Sequence, residues 1–234
     1  MRTLILSVLF GLGMSTPTWA QDARQVPVVV ELFTSQGCSS CPPADEMLTQ
    51  LAQSDEVLAL ALHVDYWDYL GWTDEFANPK FTRRQKIYAH NAGERTVYTP
   101  QFVVAGQTAV VGAQPVALMD AMRVSLGVGG RVELSSSRSG DVLSISARSV
   151  GPLHHPVVVQ IVRFSPSEQV AIEHGENEGK IIDYANVVRD WQIAGEWSGA
   201  QPLEVEIPVQ GALPIAVILQ EAGQGAILAA NRID

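Results

Sequence analysis

The chain has 234 residues, 47% of them hydrophobic, and sets 25 acidic residues against 15 Lys and Arg for a formal net charge of −10. That apolar fraction is ample for one or two globular cores. The acidic balance, with no basic cluster, excludes the electrostatics of a nucleic-acid or anionic-membrane binder.

Residues 1–20 read as a targeting signal. Arg2 precedes an apolar run from Leu4 to Met14, and Thr18-Trp19-Ala20 supplies the −3 and −1 positions of a cleavage site before Gln21. The run is too short for a membrane span. Cleavage near Ala20 removes one positive charge, Arg2, so that −10 becomes −11 in the mature chain. A periplasmic or secreted protein is expected, with no membrane span in its mature form and in a compartment where a disulfide persists.

From Val26 onwards the elements alternate. Val28–Phe33 is an apolar strand, and Pro43–Gln53 repeats Met47, Leu48 and Leu51 at helical spacing. Val57–Val64 is a continuous apolar run, as a strand covered on both faces requires. Asp74–His90 reads as a more polar helix. Gln101–Val104 and Thr108–Val111 form a hairpin around Ala105-Gly106-Gln107, and Gln114–Leu126 closes the unit as a helix. The order βαβαββα predicts an α/β unit with a mixed sheet over residues 21–127. Gly127-Val128-Gly129-Gly130 marks a boundary. Beyond it, short strands at Arg131–Ser137, Asp141–Arg148, Pro156–Phe164, Leu203–Val209, Ile215–Gln220 and Ala226–Asn231 predict a β-sandwich-like C-terminal domain over 128–234.

The only cysteines, Cys38 and Cys41, lie on the turn between the first strand and the first helix. A helix N-terminus there stabilises a thiolate through its unpaired N–H groups and dipole. Cys41, one turn further in, is close enough to close a disulfide ring. In thiol–disulfide exchange Cys38 is the attacking sulfur and Cys41 the resolving one, while Ser39 and Ser40 offer hydroxyl and N–H groups to the thiolate. Pro42 and Pro43 lack N–H groups where the first helical turn would leave them unpaired. Two other readings stay open: an inert disulfide, though so short a loop removes little unfolded-state entropy, and a metal-handling dithiol, which for zinc lacks further ligands.

His63 to Trp72 crowds His63, Asp65, Tyr66, Trp67, Asp68, Tyr69 and Trp72 beyond the second buried strand. These residues form either an aromatic roof on the sheet or a substrate groove, with Trp67 and Trp72 as apolar anchors and Asp65 or Asp68 as polar guides. Arg83, Arg84 and Lys86 read as a solvated helix face. His154-His155 reads as a turn, His174 with Glu173, Glu176 and Glu178 as an acidic loop, and Asn186–Arg189 with Trp191 as a patch without assignable chemistry.

The strand–CxxC–helix unit followed by Thr99-Pro100 before a later strand resembles the thioredoxin superfamily. The runs Glu31–Asp45, His63–Trp72 and Tyr98–Gln101 resemble, more closely, the domain-of-unknown-function 1223 family of exported thioredoxin-like proteins. The resemblance implies a thioredoxin-like fold in which Pro100 is cis and faces the disulfide, while Thr99 pairs with extended substrate. It also implies a buried acid assisting thiol deprotonation, for which Glu31 is the nearest residue. Gly37 departs from the pattern, standing where an aromatic usually shields the first cysteine. The implied function is disulfide exchange with a thiol- or disulfide-bearing protein or small thiol, requiring no cofactor or metal. The alternative is a binding module, or a copper-handling protein on the same scaffold.

Overall fold

The computed structural model describes residues 27–126 and 130–234. The targeting signal expected over 1–20 and all but Gly130 of the glycine-rich boundary expected over 127–130 lie outside these residues. Strand β1 (Val28–Thr34) is buried along its whole length. It runs parallel to β2 (Val57–His63) in unbroken register, from Val28 opposite Val57 to Thr34 opposite His63. On its other edge β1 is antiparallel to β3 (Gln101–Val104), which in turn pairs with β4 (Thr108–Val111).

The strand period of two sends alternate side chains of β1 to opposite helices. Val28, Val30 and Leu32 join Leu48 of α1 (Pro42–Leu51) and Leu118 of α3 (Pro115–Leu126). Val29 and Phe33 join Phe81 and Tyr88 of α2 (Pro79–Asn91). This α2 starts later than the helix expected from Asp74. Pro79 holds Asn78 in extended conformation, and the Asn78 side chain accepts from the Lys80 N–H at 2.9 Å as the N-cap.

The second half differs from the self-contained sandwich expected over 128–234. Strands β5 (Val132–Ser139), β6 (Val142–Ser149) and β9 (Leu203–Pro208) form a three-stranded antiparallel sheet. The others, β7 (Val157–Ala171), β8 (Ile181–Trp197), β10 (Ile215–Glu221) and β11 (Ile227–Ile233), extend the first sheet to eight strands in the order β11-β10-β7-β8-β2-β1-β3-β4. Two layers do stack face to face, with Leu143 and Ile145 against Ile161 and Val217. One of those layers, however, is the continuation of the sheet that carries β1. The physical reason lies in β2, whose buried, apolar length leaves no edge that can face water.

The join is narrow. β8 meets β2 in parallel at Ala61 and Val187, and the neighbouring Asn186 adopts φ 48° while its Nδ2 donates to the Ala59 carbonyl at 2.9 Å. Asn tolerates that left-handed conformation better than most residues. The patch from Asn186 to Arg189 is therefore the seam of the sheet. Among the described residues no helix is long and apolar enough to cross a membrane.

Phe164 of β7 is fully buried and shares a core with Phe33 and Phe81. Phe164→Ala should cost about 3–5 kcal/mol. Because this core spans both halves, thermal unfolding should show one transition shifted downwards. A first-half transition left unmoved in calorimetry would contradict the shared core.

Candidate functional site

Cys38 and Cys41 form a disulfide with a Cα–Cα distance of 5.4 Å. Cys41 is the residue before α1, and its carbonyl accepts from the Ala44 and Asp45 N–H groups at 2.8 and 3.1 Å. Cys38 keeps 4% of its surface exposed and Cys41 none, while Ser39 and Ser40 between them face solvent. Reagents in solution therefore reach the pair from the Cys38 side. The preceding turn is held from outside itself. The Gln36 N–H donates to Asp74 Oδ2 at 2.8 Å, and Asn177 Nδ2 donates to the carbonyls of Gln36 and Cys38 at 2.8 and 2.9 Å.

Thr99-Pro100 is a cis peptide. Gln101 pairs with Phe33, so Pro100 enters β3 beside the end of β1 from which the cysteine turn departs. Trp67 links the two features. Its Nε1 donates to Thr99 Oγ1 at 2.6 Å, and its Cβ and carbonyl oxygen lie 3.4 Å from where a Cβ on Gly37 would stand. Gly37, next to Cys38, thus packs against a tryptophan arriving from another loop. The exposed ring of Tyr69 stacks on Trp67 at 6.5 Å and 20°. Trp72 donates from Nε1 to Gln36 Oε1 at 2.7 Å.

Asp65 is turned away from this wall. Its Oδ1 accepts from Thr82 Oγ1 at 2.5 Å and its N–H donates to the same oxygen at 3.3 Å, which ties the aromatic loop to α2. One oxygen of this carboxylate, expected as a polar guide, is thus engaged with α2. Asp68 likewise accepts from the Asp74 N–H at 3.2 Å.

Glu31 is also placed differently from the expectation. It lies on the α2 face of β1, whereas the cysteines lead into α1 on the opposite face. Arg84 donates to it through Nε at 2.6 Å and Nη2 at 3.2 Å, and the Tyr88 hydroxyl donates at 2.6 Å. Arg84, expected on a solvated face, is buried in this pair, and its guanidinium lies 4.0 Å from the Trp191 ring centroid. Burial pushes the Tyr88 phenol well above its ordinary range.

The acid on the cysteine side is Asp45, four residues after Cys41 and one helical turn along α1. It is buried, and its Oδ1 accepts from Thr34 Oγ1 at 2.8 Å while Oδ2 has no hydrogen-bond partner among the described residues. Burial raises its pKa to about 7, against the lowering influences of His63 and Thr34. His63 stands by with Nδ1 2.6 Å from Asp74 Oδ2 and its ring edge-on to Tyr184. Sequence reasoning passed over Asp45, although a carboxylate on the buried stripe of α1 with Ala44 and Leu48 was there to be read.

The acidic loop between β7 and β8 is part of the site as well. Besides the Asn177 bonds, Glu176 Oε2 accepts from the Ser39 N–H at 3.3 Å, and Gly175, at φ 81°, packs where a Cβ would stand 3.2 Å from Trp72 Cβ. His154 and His155 sit on an exposed turn, as do Arg83 and Lys86 on the outer face of α2.

The fold and site define an α/β protein with a disulfide at a helix start, flanked by a cis-proline and covered by a loop from the second half. The chain belongs to the DUF1223 family, described as proteins of unknown function, whose model matches residues 29–220. Among solved structures it is similar to protein AGR_C_4864 of Agrobacterium tumefaciens, at 37% identity and a TM-score of 0.76, over 89% of this chain and 94% of that one. It also shares its fold with HBP35 of Porphyromonas gingivalis, at 14% identity and a TM-score of 0.63, over 89% of this chain and 75% of that one. No curated protein matches the sequence.

The folded pKa of Asp45 lies above its ordinary value, so between about pH 4 and 7 the native state holds a proton that the unfolded chain has released. Stability should fall as pH rises through that window, on the order of 3–4 kcal/mol for a fully buried group. Asp45→Asn keeps an acceptor for Thr34 and should flatten this part of the curve in denaturant titrations. An unchanged slope in the variant would show that Asp45 is not the titrating group.

Proposed function

We propose that the protein is an exported thioredoxin-like thiol–disulfide oxidoreductase. The observation that carries this reading is the Cys38–Cys41 disulfide at the start of α1, with cis Pro100 beside it on the neighbouring strand. In the reducing direction the Cys38 thiolate attacks a client disulfide, forms a mixed disulfide and expels one client sulfur as a thiolate. Cys41 then gives up its proton, attacks the Cys38 sulfur and releases the second client sulfur. Two electrons pass from the dithiol to the client, and the reverse sequence oxidises a client dithiol. A client disulfide accepts the two electrons, or a client dithiol supplies them, so the exchange step calls for no further cofactor.

Asp45 is the acceptor for the Cys41 proton, in place of Glu31, because it is buried in the first turn of the helix that Cys41 caps and burial raises its pKa to about 7. Thr99 and Pro100 position an extended client segment beside Cys38. Ser39 and Ser40 are exposed at the point of attack, and Trp67 and Trp72 wall the approach.

An equilibrium redox titration, with Cys38 and Cys41 followed by alkylation, tests the reading. A potential between about −120 and −270 mV is expected, the span of known exchange proteins. A value below about −300 mV would mark a structural disulfide and leave a binding module on this scaffold. Cys38→Ala should abolish exchange, and Cys41→Ser should accumulate the mixed disulfide with a disulfide-bearing client on non-reducing gels, since Cys38 still attacks the client disulfide but nothing resolves the product.

A further inference from the structure

The loop formed by residues 172–180 crosses from the second half of the chain to the disulfide and touches it through two side chains of opposite character. Asn177 is fully buried and neutral. Its Nδ2 bonds to the Gln36 and Cys38 carbonyls, while its Oδ1 accepts from Lys180 Nζ at 2.8 Å. It is an anchor with every contact satisfied on both ends of the amide. Glu176, the preceding residue, is thereby held on the solvent side of the disulfide, with Oε2 on the Ser39 N–H. Backbone N–H groups that follow the first cysteine at a helix start are the donors a Cys38 thiolate would seek. Glu176 occupies the first of them and brings a carboxylate to the same place.

We infer that Glu176, positioned by Asn177, makes the Cys38 thiolate less favourable and so biases the centre towards its thiol and disulfide forms. The inference rests on the exchange reading and deepens it by naming the group that tunes the attacking sulfur. Two like charges at the mouth of the site repel, and an N–H already bonded to a carboxylate has less to offer the sulfur. The other titratable or charged groups around the turn are Asp45 on α1, His63 and Asp74 beneath it, and His174, Glu178 and Lys180 in the loop. Of these carboxylates only Asp74 also bonds a backbone N–H of the turn, and it takes that of Gln36 rather than one following Cys38.

The test is the pH dependence of Cys38 alkylation in the reduced protein, with the modified cysteine assigned by peptide mass. Glu176→Gln is exposed and leaves the core untouched, so folding does not confound it. It should move the profile to lower pH and speed alkylation at neutral pH about threefold, the scale of a partly screened charge pair. Raising the salt to about 1 M should shrink the difference, since the screening length then falls to about 3 Å. Asn177→Ala should shift the profile in the same direction, and the double variant should add little to either single change, because the anchor acts through Glu176. Glu178→Gln, in the same loop, should leave the profile in place. An unshifted Glu176→Gln profile, or an equal shift from Glu178→Gln, overturns the inference. Alkylation needs no client, so this failure is separable from failure of the exchange reading, which would appear as a wild-type disulfide inert towards glutathione and dithiothreitol.

Discussion

Three long-range hydrogen bonds to the backbone from Gln36 to Cys38, beside the local ones within the turn, hold the disulfide where it is: Asp74 accepts one, and Asn177 donates two. A segment that has left β1 and not yet entered α1 has no ladder to satisfy its polar groups. Buried as it is, each unpaired group would cost about 1–3 kcal/mol. The long β7–β8 ribbon follows from this need. Its strands, of 15 and 17 residues, run past the ends of their neighbours and carry Asn177 over the turn. The seam at Ala61 and Val187 then fixes how far the ribbon reaches.

Buried charge is treated differently on the two faces of β1. On the α2 face, Glu31 meets Arg84 through two donors and Tyr88 through a third, and Gln160 and Gln220 from the second half bond to the same guanidinium. Such a network adds little net stability because both ions lose their water, but losing one partner costs about 3–5 kcal/mol. It therefore acts mainly as a register lock between α2 and strands β7 and β10. On the α1 face, Asp45 has one hydroxyl donor and an unpaired oxygen, so burial dominates and the carboxyl is held near neutrality. One carboxylate is immobilised, and the other is left able to exchange a proton.

The contrast explains what could be read from the sequence. Local patterns placed β1, β2, β3, β4, α1 and α3 within one or two residues, because each is set by its own apolar period and its own turn chemistry. β8 was not foreseen, since Asp183, Asn186, Arg189 and Asp190 interrupt its alternation and its pairing with β2 is visible only in three dimensions. Without β8 the second half looked independent. Arg84 was legible in principle, standing three residues after Phe81 and four before Tyr88 on the buried stripe of α2, but the flanking Arg83 and Lys86 suggested a solvated face. Asn177 carried no local signal, for an asparagine in a polar loop declares nothing about the turn it will grip 139 residues away.

Under the proposed reaction the two sulfurs meet unlike surroundings, and that difference orders the steps. Closing the disulfide removes two thiol protons. Cys38 can lose its own towards solvent, where Glu176 opposes the resulting negative charge. Cys41 is sealed from solvent, so its proton needs an internal acceptor. A carboxyl titrating at about 7 fits that task, whereas one far below or far above working pH would be a poor acceptor or already occupied. A buried thiolate and a buried carboxylate one helical turn apart would also repel, so the proton is shared rather than lost from both. Cys41 is then activated only when Asp45 is free to accept, and Cys38, the sulfur that solvent can reach, meets the client first.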